Sequence, residues 1–216
     1  MSEPINDVYA TDSEFEPVPG LPEELPEGEH ILWQGAPTFR NVAIHQLHLR
    51  KLAVYFVLIL GLRHLWLASS GHGLMTDLAG TMGLLVAANI ALGILLLISY
   101  FIARTTLYTI TNRRVVMRIG IALPMPLNLP FSALSGADLR LHRDGSGDIL
   151  LQVADRKRLS YVVLWPHLKM RGLLNVQPAL RSLNAPQEAA TTLAAAIAET
   201  PNALPSSEID ASPVVA

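Results

Sequence analysis

Three histidines, an arginine inside an apolar run, a glycine–carboxylate loop and a short basic cluster are the residues of this 216-residue chain whose types and spacing could do chemistry. His45 and His48 stand at i, i+3, so on a helix both imidazoles would reach one metal ion. No third ligand lies nearby in the sequence, and polar side chains at a membrane surface explain the pair more simply. His64 follows Arg63 within an apolar stretch, where a neutral imidazole could ligate the magnesium of a tetrapyrrole, although one histidine is not a motif. Asp144-Gly145-Ser146-Gly147-Asp148 sets glycines beside carboxylates, as calcium and phosphate loops do. It has neither the EF-hand spacing nor the phosphate-loop lysine, so it reads as the turn of a β-hairpin. Arg156-Lys157-Arg158 reads as a solvated turn or as a contact to anionic headgroups, at ~1 kcal/mol per basic residue near a charged bilayer.

No catalytic constellation accompanies these residues. G-x-S-x-G, H-E-x-x-H, a phosphate loop and a convincing carboxylate pair are all missing. The absence of cysteine removes disulfides, thiolate metal sites and cysteine nucleophiles together. The expectation is a protein that is not an enzyme and has no resident metal. Nucleic acid is not expected as a partner either, since the aromatic–basic strand signature of RNA-binding modules is lacking.

The elements that must position these residues are dominated by two apolar runs. Half of the residues are hydrophobic and 16% are charged, against about 25% in an ordinary soluble domain. From Leu78 to Ala103 there are 26 residues without a charge, which makes about 39 Å of helix against a hydrocarbon layer of about 30 Å. Leu52–Ser69 is a second, weaker span, interrupted by Arg63 and His64. Arg40, Arg50 and Lys51 precede the pair and Arg104, Arg113 and Arg114 follow it, while the connection 70–77 has no Lys or Arg. By the positive-inside rule this is a transmembrane hairpin with both termini cytoplasmic.

Two features of the hairpin go beyond anchoring. Ala79, Gly83, Ala87 and Ala91 recur every four residues as a small-residue stripe, suited either to packing on the first helix or to docking another protein. Arg63, His64 and Asn89 form an intramembrane polar set. Arg63 and Asn89 lie about 16 Å and 21 Å deep, so they could pair inside the bilayer, or Arg63 could snorkel outward beside Trp66.

The remainder divides by charge. Residues 1–39 hold nine acidic side chains and no Lys or Arg, whereas 40–181 hold all 16 basic residues against five acidic ones. Residues 1–20 read as a mobile acidic tail, 21–51 as an element leading into the membrane and 200–216 as a proline-rich tail. Within the lead-in, 41–51 reads as an amphipathic helix with Asn41, His45 and His48 on one face. From 104 to 199 the pattern turns to short alternating runs. A β-hairpin is expected at Thr105–Ile110 and Val115–Ile121, followed by Pro124, Pro126 and Pro130 breaking the ladder. Further runs fall at Ala137–His142, Ile149–Val153 and Leu159–Leu164, and a helix is expected over Pro186–Glu199. The fold class is therefore α+β, a two-helix transmembrane hairpin carrying a small sheet or partly open barrel.

Several strings resemble those of known proteins. Glu14-Phe15-Glu16-Pro17, Leu25-Pro26-Glu27-Gly28-Glu29, Ile31-Leu32-Trp33-Gln34-Gly35-Ala36-Pro37 and Leu107-Tyr108-Thr109-Ile110-Thr111-Asn112-Arg113-Arg114 resemble bacterial PH-like membrane proteins. The acidic-proline leader, the His45/His48/Arg50/Lys51 segment and Trp165-Pro166-His167 narrow the resemblance to the PuhB family of photosynthetic-complex assembly proteins. That resemblance implies a cytoplasmic PH-like sheet closed by a C-terminal helix, with Leu21–Pro37 joining it from before the hairpin. It implies a role in building the reaction centre and core light-harvesting antenna in the inner membrane, with those subunits and the bilayer as partners. It supplies no catalytic residues, and it leaves bacteriochlorophyll contact and homo-oligomerisation open. The other readings are a general PH-like membrane scaffold or envelope-stress protein, and a pigment-handling protein using His64 or His45/His48. Members of the family are often drawn with three spans, whereas two are read here.

Overall fold

A computed structural model describes residues 21, 24–71, 78–120, 125–153, 167–170 and 176–199. The tails, the connection between the long helices, the Leu159–Leu164 run and Arg156-Lys157-Arg158 lie outside the described residues.

Two four-stranded antiparallel sheets carry the fold. The first contains β1 (Ile31–Gly35), β2 (Leu107–Thr111), β3 (Arg114–Ile119) and β4 (Met125–Pro130), in that order. The second contains β5 (Leu134–Leu141), β6 (Gly147–Val153), β7 (Leu168–Met170) and β8 (Val176–Leu183), in the order β5-β6-β8-β7. A single 3-10 turn, Phe131–Ala133, carries the chain from one sheet to the other. Among the described residues no ladder joins the two sheets, so they form a sandwich-like pair and not a closed barrel. Tyr108, Ile110, Val115 and Met117 from the first sheet share one core with Ile149, Leu151 and Leu180 from the second. Ala189, Leu193, Ala196 and Ile197 of the C-terminal helix α4 (Pro186–Ala198) close that core. Pro186 opens the helix, where its missing N–H costs nothing, and Glu188 favours the positive end of the dipole.

Pro126 and Pro130 do not break the first sheet as expected, and Pro124 lies outside the described residues. Pro126 pairs with Arg118 and Pro130 with Arg114 on β4, an edge strand. An edge accommodates such residues, because its outward N–H groups have no ladder partner to lose. Strand β8 has no counterpart in the sequence reading: Pro178 and Arg181 dilute its apolar alternation, and Ser182 interrupts it at φ 60°.

The two long helices are inserted between β1 and β2. Helix α2 runs over Leu49–Ser69 and α3 over Leu78–Thr105, each long and apolar enough to cross a membrane. They are not core helices of the sheet domain: Val57, Leu62, Leu65 and Trp66 are about two-thirds exposed, at 67, 65, 68 and 64%. Leu67 of α2 and Ala88, Ser99 and Ile102 of α3 are buried.

The lead-in departs from a continuous amphipathic helix. Phe39–Asn41 is one α-turn, here α1, which widens into a π-helical stretch at Val42–Gln46. His48 then turns left-handed (φ 53°) before α2 begins. The wider winding removes the 3.6-residue period on which the expected face rested, so Asn41, Val42 and Ala43 are buried while His48 is exposed.

Candidate functional site

The lead-in, the start of α2 and the second sheet enclose a cleft of about 850 Å³. Four polar side chains come from the N-terminal side, His45, His48, Arg50 and Lys51, beside the apolar Ile44 and Val54. Arg140 enters from the end of β5 and His142 from the residue just beyond that strand, with Asp148 from β6 and Arg181 from β8. Four permanent cations thus face one carboxylate.

That carboxylate is already engaged. Asp148 accepts a hydrogen bond from the Ser182 backbone N–H at 2.9 Å and lies 3.8 Å from Arg181 Nε. His142 Nε2 stands 3.6 Å away, within ion-pairing range and beyond hydrogen-bond length. Burial raises the Asp148 pKa, but His142, Arg181 and the Ser182 amide outweigh it and hold the group below its usual value. Ser182 is held at its left-handed angle by three partners: its N–H by Asp148, its carbonyl by Thr38 N–H at 3.1 Å, and its Oγ by Gln46 Nε2 at 2.9 Å.

Outside the cleft lining, Asp144 Oδ2 meets His45 Nε2 at 2.8 Å, and the His45 ring stacks on His142 with centroids 4.1 Å apart and planes 2° from parallel. Asp144 belongs to the β5–β6 turn, where Gly145 takes φ 81° and His142 N–H donates to Ser146 O at 2.7 Å. The loop is therefore a hairpin turn, as its glycines suggested. The Ser146 hydroxyl and amide both donate to Asp144 Oδ1, at 2.6 and 3.2 Å. The Ser146 hydroxyl, then His45, hold the Asp144 carboxyl well below the usual carboxylate range.

The first turn of α2 is electrostatically unusual. Its N-cap residue His48 makes no side-chain cap, and the turn contains no acidic residue. Arg50 and Lys51 stand there instead, against the positive end of the dipole, where a cation is unfavourable by ~0.3–1 kcal/mol. Arg140 Nε and His142 Nε2 are buried without a hydrogen-bond partner.

A second polar network sits behind the cleft. His167 Nδ1 lies 2.6 Å from the Tyr108 hydroxyl and its Nε2 lies 3.1 Å from Thr106 Oγ1. Tyr108 in turn accepts the Arg181 backbone N–H at 3.2 Å. Burial, reinforced by the Arg181 charge, lowers the His167 pKa to about 3, so the ring is neutral.

The residues singled out from the sequence are dispersed. Ala79, Gly83 and Ala87 are exposed, Ala91 is half-buried, and a Cβ at Gly83 would meet open space. A spacing of four overshoots one turn by about 40°, so the stripe starts on the side of α3 opposite Ala88 and Ser99 and winds towards it, and Ala91 alone reaches partial burial. Arg63 and His64 are half-buried, and His64 Nδ1 has no hydrogen-bond partner. Asn89 is exposed and donates to Leu85 O of its own helix at 2.8 Å. His45 is drawn to Asp144 and not to His48. Among the described residues no three His, Asp or Glu side chains converge as a metal site. The cleft itself was missed; the alternation of Arg140 and His142 and the surplus of basic residues were its signals.

The sequence profile of the bacterial PH domain family matches residues 55–197. The chain belongs to that family. This bacterial PH-domain chain is also 37% identical over 187 residues to an uncharacterised 23.7 kDa protein in the puhA 5' region of Rhodobacter capsulatus, covering 86% of this chain and 87% of the relative. Both matches agree with the PuhB-type resemblance read from the residues. No solved structure matches the chain.

Proposed function

We propose that this bacterial PH-domain chain is a non-enzymatic assembly factor for the photosynthetic reaction centre and its core antenna, held in the inner membrane by the α2–α3 hairpin. The observation that carries the photosynthetic part is the relative encoded in the puhA 5' region, which supports a photosynthetic gene-cluster context.

The membrane placement rests on the outward apolar side chains of both helices, which water would not tolerate at this density. Topology supports the orientation. β1 and β2 are neighbours in one sheet, so the hairpin inserted between them starts and ends on one side of the bilayer. That arrangement suits an even number of crossings between β1 and β2, and the basic flanks favour a cytoplasmic location for the sheets and both termini. The exposed Ala79/Gly83/Ala87 face is the surface for a nascent reaction-centre or core-antenna subunit, since small residues let helices approach closely in lipid.

Deletion of the gene, read by near-infrared absorption of the membranes, tests the proposal. Selective loss of the reaction-centre and core-antenna bands is expected; an unchanged spectrum with normal phototrophic growth would leave a general PH-like membrane scaffold, the reading that the family match alone favours. Gly83→Leu with Ala87→Leu tests the docking face. Among the described residues a Cβ at Gly83 meets open space and Ala87 is exposed, so reduced co-purification with reaction-centre subunits would report on the partner.

A further inference from the structure

From the cleft between the lead-in and the second sheet we infer a binding site for the phosphate of an anionic lipid headgroup. The inference rests on the proposed membrane placement of the hairpin, because that placement brings the first turn of α2 to headgroup level.

Three observations carry it. The cleft presents Arg50, Lys51, Arg140 and Arg181 around one carboxylate, and Asp148 is already satisfied by Ser182, Arg181 and His142. Its volume of about 850 Å³ holds a headgroup. Its polar lining also has a group without a partner: Arg140 Nε is buried with no hydrogen bond. Guanidinium groups are the side chains best matched to phosphate oxygens. The α2 N-terminus adds uncapped backbone N–H groups and a positive dipole end, with two cations in the same turn. Without an anion these charges repel one another and oppose the dipole; a phosphate would bridge them. Ile44 and Val54 complete the cleft wall, and Val54 is 58% exposed, so an apolar path leads from the cleft along α2. A headgroup with an attached acyl chain fits that sequence of surfaces better than a free ion does.

The test uses the full chain in nanodiscs of phosphatidylcholine with phosphatidylglycerol. Native mass spectrometry is expected to retain phosphatidylglycerol in preference to phosphatidylcholine. The Lys51→Gln/Arg140→Gln double variant leaves the Asp148–Arg181 pair intact and is expected to lower that retention roughly thirtyfold. Equal retention of the two lipids, or a variant that retains phosphatidylglycerol like the parent, would overturn the site. If inorganic phosphate protects the chain against thermal unfolding as well as phosphatidylglycerol does, the ligand is free phosphate and the lipid assignment is wrong. A chain that does not enter nanodiscs at all would instead refute the membrane placement, so the two failures are told apart.

Discussion

Glu29 and Arg114 form a two-pronged ion pair, with Oε1 to Nε at 2.8 Å and Oε2 to Nη2 at 3.0 Å, although 85 positions and both long helices separate them in the chain. Thr111 Oγ1 donates to the same Glu29 Oε1 at 2.8 Å, and Asn112 clasps the adjoining strand through His30 N–H and Gly28 O. The segment before the hairpin is thereby locked to the turn between β2 and β3.

The pair is asymmetric in burial: the Glu29 side chain is 2% exposed and that of Arg114 is 29% exposed. Arg114→Met strands a buried carboxylate and is expected to cost about 3 kcal/mol. Glu29→Gln leaves a guanidinium that water can reach, and should cost nearer 1 kcal/mol. Chemical denaturation followed by the sheet signal in circular dichroism measures both, and the reverse order would contradict the pairing described.

His167 ties the exit of α3 to the second sheet through Thr106 and Tyr108. Its pKa falls from the usual 6.5 to about 3, chiefly because it is buried, so the folded chain binds this proton less readily than the unfolded one. Stability is full above the unfolded value and declines as the pH falls from about 6.5 towards 3, with a limiting slope of about 1.4 kcal/mol per pH unit. His167→Gln keeps polar atoms for Tyr108 and Thr106 and removes the titration. Unfolding curves taken over that range should flatten in the variant, and an unaltered slope would place the acid sensitivity elsewhere.

Asp144 titrates far below a normal carboxyl, first because Ser146 donates its hydroxyl and second because of His45. Ser146→Ala is therefore expected to raise the Asp144 pKa more than His45→Ala does. A folded pKa depressed in this way supplies stability that is full above the ordinary carboxylate value and is lost as the pH falls from there towards the lower folded value. Carboxyl NMR titration of the two variants settles the order of the causes.

Glycine substitutions should separate close approach from open space. A Cβ at Gly147 would collide with the Arg140 carbonyl, and one at Gly35 with the Trp33 indole. Gly147→Ala meets backbone that cannot swing aside, so it should destabilise by about 1–3 kcal/mol and loosen the β5–β6 hairpin. Gly35→Ala should shift Trp33 fluorescence, since the ring packs on the core and must move. Gly83→Ala, facing open space, should leave unfolding unchanged within about 0.5 kcal/mol.

The parts legible in the sequence were those with a one-dimensional signature. The charge-free run at Leu78–Ala103, the Thr111–Arg114 turn and the Pro186 helix start each rest on neighbours in the chain, and the structure places α3, the β2–β3 connection and α4 accordingly. The cleft was not legible because its walls come from four separate places: the lead-in with α2, β5, β6 and β8. Its geometry depends on a π-helical stretch and on left-handed His48 and Ser182, none of which a periodicity can announce. The membership of β4 was hidden by Pro126 and Pro130, which disfavour a central strand but suit an edge. Only its edge position, a property of the whole sheet, decides between those readings.

The pairing of β1 with β2 also sets a schedule. β1 leaves the ribosome before the hairpin and its partner after it, separated by the 71 residues from 36 to 106. At about 5–20 residues per second, β1 waits several seconds as an unpaired strand, with Leu32 and Trp33 uncovered. The first sheet closes only after both long helices have been made and have brought their ends together. A chain whose helices fail to seat keeps an open strand edge on show, which chaperones and proteases recognise. Completion of the sheet thus doubles as an inspection of the hairpin, and defective copies carry their own mark for removal.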